Sequence, residues 1–107
     1  MTKKKDDFEK LLGKELKNKS VALSYLNEAY KDNDLNFFIK CIKDVIKANG
    51  GFTKLAKEAG VSRTSLYSAF SGRKTPTIHH VEKILHALGF SFSLVRIPKK
   101  TAHKKAA

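Results

Sequence analysis

The segment Phe52-Thr53-Lys54-Leu55-Ala56-Lys57-Glu58-Ala59-Gly60-Val61-Ser62-Arg63-Thr64-Ser65-Leu66-Tyr67-Ser68-Ala69-Phe70-Ser71 reads as two short helices meeting at a tight corner. Each slot of such a corner is filled by a suitable residue type. Ala56 is small where a second helix would press on the first. Gly60 stands at the corner, where a left-handed backbone is cheap only without a Cβ. Val61 is apolar and can plug the turn into a core, and Ser62 can cap the next helix through its hydroxyl. Leu66 and Ala69 lie three apart and face inward, with Leu55 opposite. The outer face of the second helix, Arg63 to Ser71, then presents Arg63, Thr64, Ser65, Tyr67 and Ser68.

Outward from that corner the pattern is helical in both directions. Leu35, Phe38, Ile39, Ile42, Val45 and Ile46 form the most regular amphipathic face in the chain, with Asp34 as its cap and Asn49-Gly50-Gly51 as its end. Ser20 is placed to cap a helix carrying Leu23, Leu26, Ala29 and Tyr30, which stops at Lys31-Asp32-Asn33-Asp34. Asp6 to Lys19 carries a narrower stripe of Phe8, Leu11, Leu12 and Leu16, interrupted by Gly13. On the other side, Thr77 caps a helix with Ile78, Val81, Ile84, Leu85 and Leu88 inward, closed by Gly89. Phe90, Phe92 and Leu94 alternate with Ser91, Ser93 and Val95, which predicts one β-strand over Phe90 to Ile97. A lone strand needs a partner for its backbone groups; the alternatives are the same strand of a second copy or an arm lying on the helices.

The expected architecture is therefore all-α, a small helical bundle with extra N-terminal helices and a C-terminal β-strand. Its parts are a charged N-terminal helix or arm over 1–19, a domain over 20–97, and a basic disordered tail over 98–107. A chain of 107 residues suits one domain with a modest core. No apolar run approaches the roughly 20 residues needed to span a bilayer. The charged start Met1 to Asp7 is not a secretory signal, and the single cysteine, Cys41, fits a reducing cytoplasm.

Charge gives the first indication of a partner. Lys and Arg number 22 against 10 Asp and Glu, a formal net charge of +12. From Ala59 onward the only acid is Glu82, set against nine Lys and Arg. A surplus of this size draws polyanions by Coulomb steering and counterion release. The alternative is a solvated lysine-rich surface that aids solubility.

The corner resembles the helix-turn-helix of the Cro/C1-type (Xre-like, lambda-repressor-like) repressors, over all positions of that motif. The resemblance implies binding of double-stranded DNA, with Arg63, Thr64 and Ser68 at the base-reading positions. Arg63 suits guanine O6 and N7 through a bidentate bond worth about 1–3 kcal/mol of discrimination. Thr53, Lys54, Ser62, Ser65, Tyr67, Arg73 and Lys74 are the expected phosphate contacts, with amides at the start of the Phe52 helix. For Tyr67 the alternative is a half-buried aromatic with its hydroxyl at the rim, and for Lys54 and Lys57 plain helix surface.

A wider likeness surrounds the corner. Tyr25 to Tyr30, Phe37-Phe38, Asp44 to Ala48, Gly51 to Tyr67, and Pro76-Thr77 through Leu85 to Gly89 resemble the HigA-like "addiction module antidote" proteins, antitoxins of toxin–antitoxin pairs. That likeness implies a small ribonuclease-type toxin of the RelE/ParE/HigB kind as partner. It also implies a homodimer that represses its own operon at a palindromic operator, in the cytoplasm and on the nucleoid. Two recognition helices would then lie about 34–36 Å apart. Other readings are a stand-alone phage-like regulator without a toxin, and a protein-interaction module with a vestigial helix-turn-helix using Phe8 to Tyr30. Single-strand RNA binding is disfavoured, because Tyr67 is the sole aromatic on the exposed face.

Other chemistry finds no constellation. His79 and His80 are adjacent and point to different sides of a helix, His86 lies too far round, and His103 is in the tail. With only Cys41 to add a thiolate, no tetrahedral metal set forms, and no cofactor is expected. No glycine-rich phosphate loop, nucleophile–base pair or paired-carboxylate arrangement stands out, so no enzyme is expected.

Overall fold

Six helices succeed one another in the computed structural model, which describes residues 2–73 and 75–98, with side chains from residue 7 onward. They are α1 (Thr2–Glu15), α2 (Lys19–Lys31), α3 (Leu35–Ala48), α4 (Gly51–Ala59), α5 (Arg63–Ala69) and α6 (Ile78–Leu88). Local chemistry sets most of the boundaries. The Asp34 carboxylate accepts the Phe37 amide at 3.1 Å, the Ser62 hydroxyl accepts that of Ser65 at 3.0 Å, and Thr77 accepts that of His80 at 3.2 Å. Each satisfies an amide that the first helical turn leaves without a partner. At the start of α2 the cap is Asn18 rather than Ser20. Its Oδ1 accepts the Ser20 and Val21 amides at 2.9 and 3.1 Å, so the helix begins a residue before Ser20.

The centre of the bundle is α3, whose Cys41, Ile42, Val45 and Ile46 are fully buried. The helices α1, α2 and α4 pack on it, and α4 in turn carries α5 and α6. Leu55 from α4, Leu66 from α5, Phe70 just after it, and Ile84 and Leu88 from α6 complete one continuous core. The amphipathic face of α3 is thus read twice, by α1 and α2 on one side and by α4 on the other. The end of α6 is tied back to the start of α2. Lys19 Nζ donates to the Leu88 carbonyl at 2.6 Å, a cation on the negative end of a helix, and lies 5.9 Å from the Phe90 ring centre.

The expected C-terminal β-strand is absent. Residues 90–98 have no regular secondary structure, and among the described residues there is no strand at all. The alternation of Phe90 to Ile97 has nothing to pack against. Phe90 is half-buried, with its amide on the Leu85 carbonyl at 2.7 Å, whereas Phe92, Leu94, Val95 and Ile97 are all exposed. Neither face is buried, so neither register is selected. The described residues are all-helical in their regular structure, as expected apart from that strand. The stripe on α1 is only partly used: Leu16 is buried and Leu12 packs beside it, but Phe8 and Leu11 stay exposed. Residues 99–107, where the basic tail was expected, lie outside the described residues. Among the described residues no helix is long and apolar enough to cross a membrane.

Candidate nucleic-acid interface

The corner between α4 and α5 is built as its residues require. Gly60 closes α4 with φ 73°, the left-handed value that a side chain resists. The Val61 amide returns to the Ala56 carbonyl at 3.0 Å, which draws the chain back across the end of α4. Ser62 caps α5, and Leu66, Ala69 and Phe70 bury the inner side of that helix against α4 and the core. With that side fixed, Arg63, Thr64, Ser65, Tyr67 and Ser68 are all exposed.

Beside α5 runs an open groove of about 740 Å³. From α5 it takes Arg63, Thr64, Tyr67 and Ser68, and from the turn that follows it takes Ser71 and Arg73. Phe52 and the buried Phe70 form its apolar floor. Its opposite wall is α3, through Lys43 and Lys47. Among the described residues, four cations therefore share the groove, and no carboxylate lines it. Most of its lining is exposed, so it is a face that a large anion could lie along rather than a pocket that encloses a small ligand.

The three residues expected to read bases, Arg63, Thr64 and Ser68, come together in this groove. Arg63 is also held: its Nε donates to Thr53 Oγ1 on α4 at 2.9 Å, using one of five guanidinium donors. Of the expected phosphate contacts, Tyr67 and Arg73 line the groove, and Thr53 reaches it through Arg63. Tyr67 leans edge-on against Phe52, ring centres 5.4 Å apart, yet is 57% exposed. Lys54, Ser62 and Ser65 are exposed but do not line the groove; Lys54 lays its stem against Gly50 and Ser62 is occupied as the cap. Lys74 lies outside the described residues.

Lys43 and Lys47 were not among the residues singled out from sequence. A signal existed, since they are four apart on α3 and off its apolar stripe. That they face α5 is a tertiary fact that spacing along one helix does not carry. Elsewhere, His80 Nδ1 lies 2.9 Å from Thr77 Oγ1 at the start of α6, and Cys41 is fully buried. Among the described residues, no group of three or more His, Cys, Asp and Glu is placed to hold a metal ion.

Fold and groove together define a small all-helical protein with one cation-lined face formed around a capped helical corner. Residues 7–96 match the family described as "Probable addiction module antidote protein", and the chain belongs to that family. It is 30% identical over 94 residues to an uncharacterized protein of Haemophilus influenzae, a match covering 88% of this chain and 94% of that one. No solved structure gives a significant match.

Proposed function

We propose that this chain is the antitoxin of a toxin–antitoxin pair and that it binds double-stranded DNA in a sequence-specific way to repress its own operon. Membership of an antidote family implies a toxin partner. A small ribonuclease of the RelE/ParE/HigB kind is the partner that the HigA-like resemblance favours. The observation that carries the DNA reading is the groove beside α5, where Arg63, Thr64 and Ser68 stand exposed among four cations with no carboxylate between them. Such a face supplies both halves of DNA recognition: cations that exchange counterions for phosphates, and short polar groups beside an arginine that can read base edges. In this reading α4 and α5 act as a helix-turn-helix, with α5 entering the major groove. The first-turn amides of α4 add a phosphate contact, since its N-cap, Gly50, has no side chain to occupy them.

The working form is a homodimer on a palindromic operator, cytoplasmic and non-catalytic. The test is fluorescence anisotropy with duplex DNA from upstream of its own gene, against a scrambled duplex, for the wild type and Arg63→Ala. Tight binding to the native duplex, with the preference lost in Arg63→Ala, is the expected result. Equal and steeply salt-dependent binding to both duplexes would remove the repressor reading. Co-expression with the product of any small ribonuclease-like reading frame found beside its gene tests the antitoxin half, with rescued growth as the expected outcome.

A further inference from the structure

The two lysines on the far wall of the groove belong to neither the corner nor any internal pair. Lys43 and Lys47 have no hydrogen-bond or ion-pair partner among the described residues. The single acid on α3, Asp44, lies between them in sequence but is engaged elsewhere. Its Oδ2 accepts the Tyr25 hydroxyl at 2.8 Å and pairs with Lys40 at 3.2 Å. Asp44 thus spends its charge toward α2, while the two lysines face α5 across the groove. Four residues on a helix advance about 6 Å, so the two ammonium groups can follow one strand of a backbone rather than crowd a single anion.

We propose that Lys43 and Lys47 of α3 form a second, sequence-independent wall of the DNA site, gripping the phosphates of one strand while α5 faces the bases. This rests on the DNA reading above and extends the interface beyond the helix-turn-helix to a helix whose main task is the core. The lysines set how firmly and in what register the duplex is held; Arg63, Thr64 and Ser68 set which duplex is preferred. They are positioning residues, and their loss lowers affinity for all sequences alike.

The experiment measures anisotropy of the native and scrambled duplexes across a salt series with the full chain. The proteins are wild type, Lys43→Gln/Lys47→Gln, Lys43→Arg/Lys47→Arg, and a charge-matched control, Lys14→Gln/Lys31→Gln, whose residues do not line the groove. Losing two phosphate contacts lowers the slope of log K against log salt by about 1.8. The expected result is that drop in the glutamine pair with the native-over-scrambled preference kept within about twofold. The arginine pair keeps the wild-type slope, which ties the drop to the lost charges, and the control keeps it too. A glutamine pair that matches wild type, or a control that falls equally, overturns the proposal while leaving the DNA reading intact. A wild type that binds neither duplex removes the DNA reading and this wall with it.

Discussion

The corner of α4 and α5 and the segment that follows α6 carry equally regular patterns in the sequence, yet only one of them becomes an element. At the corner, every apolar position has a counterpart. Leu66 is buried in the same core as Leu55, Val61 packs against that core at the turn, and Gly60 supplies the one backbone conformation that the turn needs. Over residues 90–98 the alternation is as clean, but Leu94 is 99% exposed and, among the described residues, no second strand lies beside it. Periodicity states which residues would share a face; whether that face is filled depends on a surface somewhere else.

The widest test of this contrast sets two leucines against each other. Leu66→Ala removes a fully buried side chain and should cost about 3 kcal/mol, on the order of 15 °C in Tm. Leu94→Ala should change stability by no more than about 0.5 kcal/mol. Urea or thermal denaturation of both variants decides it. A large loss from Leu94→Ala would mean that residues 90–98 are packed in solution against something the single chain does not contain.

A second test uses two glycines that both have open space for a Cβ. Gly60 has φ 73°, so Gly60→Ala should destabilise by about 1–2 kcal/mol through backbone strain alone. Gly13 sits inside α1 with ordinary helical backbone, so Gly13→Ala should stabilise by about 0.5–1 kcal/mol. Opposite signs from the same substitution are the expected denaturation result. Equal signs would break the claim that the corner is specified by its backbone.

These contrasts show how much could be read from sequence. The helices, the caps at Asp34, Ser62 and Thr77, and the inward set on α5 follow from local rules, because each depends on residues within one turn of each other. The cap at Asn18 was missed because Ser20 is an equally good capping type two positions later, and only the backbone at residue 18, extended at ψ 122°, selects between them. Phe8 and Leu11 share a stripe with Leu16, but only the end of α1 reaches α3. Lys43 and Lys47 became part of the site only when folding set α3 and α5 on opposite sides of one groove. Most readings confined to one turn or one corner survived folding; the strand over Phe90 to Ile97 and the outer half of the α1 stripe, which needed a distant surface, did not.

Polar contacts between helices obey the same condition, and α2 against α3 allows a test by pH. Burial first, then hydrogen bonds to Cys41 and Asp44 and the charge of that carboxylate, push the Tyr25 phenol above its ordinary value near 10. The folded state therefore holds this proton more tightly than the unfolded chain. The stabilisation is complete below about pH 10 and is lost as pH rises beyond it. Burial also raises the Cys41 thiol, which starts the same decline from about pH 8.5. Tyr25→Phe should cost about 1 kcal/mol at neutral pH, through the lost bond to Asp44, and should flatten the fall in Tm above pH 10. An alkaline slope unchanged by the substitution would mean that the contact does not hold the two helices together.

The smallest expected effect lies at the groove itself, where the corner meets the side chain that the DNA reading depends on. Thr53 sits on α4 and Arg63 on α5, and the bond from Arg63 Nε to Thr53 Oγ1 spans the two helices in an exposed setting. Exposed bonds of this kind are worth about 0.5–1 kcal/mol, so Thr53→Val, which keeps the shape and removes the acceptor, should lower Tm by only about 2–5 °C. What it should change is readout. A guanidinium no longer held at Nε must be ordered when it meets a base edge, and the preference for native over scrambled duplex should fall about threefold. The double variant Thr53→Val/Arg63→Ala should show no further loss beyond Arg63→Ala alone, because the hydroxyl acts through the arginine. Additive losses in that cycle would instead make Thr53 an independent contact to the phosphate backbone, and α4 would then share the work of the interface directly rather than through the side chain it holds.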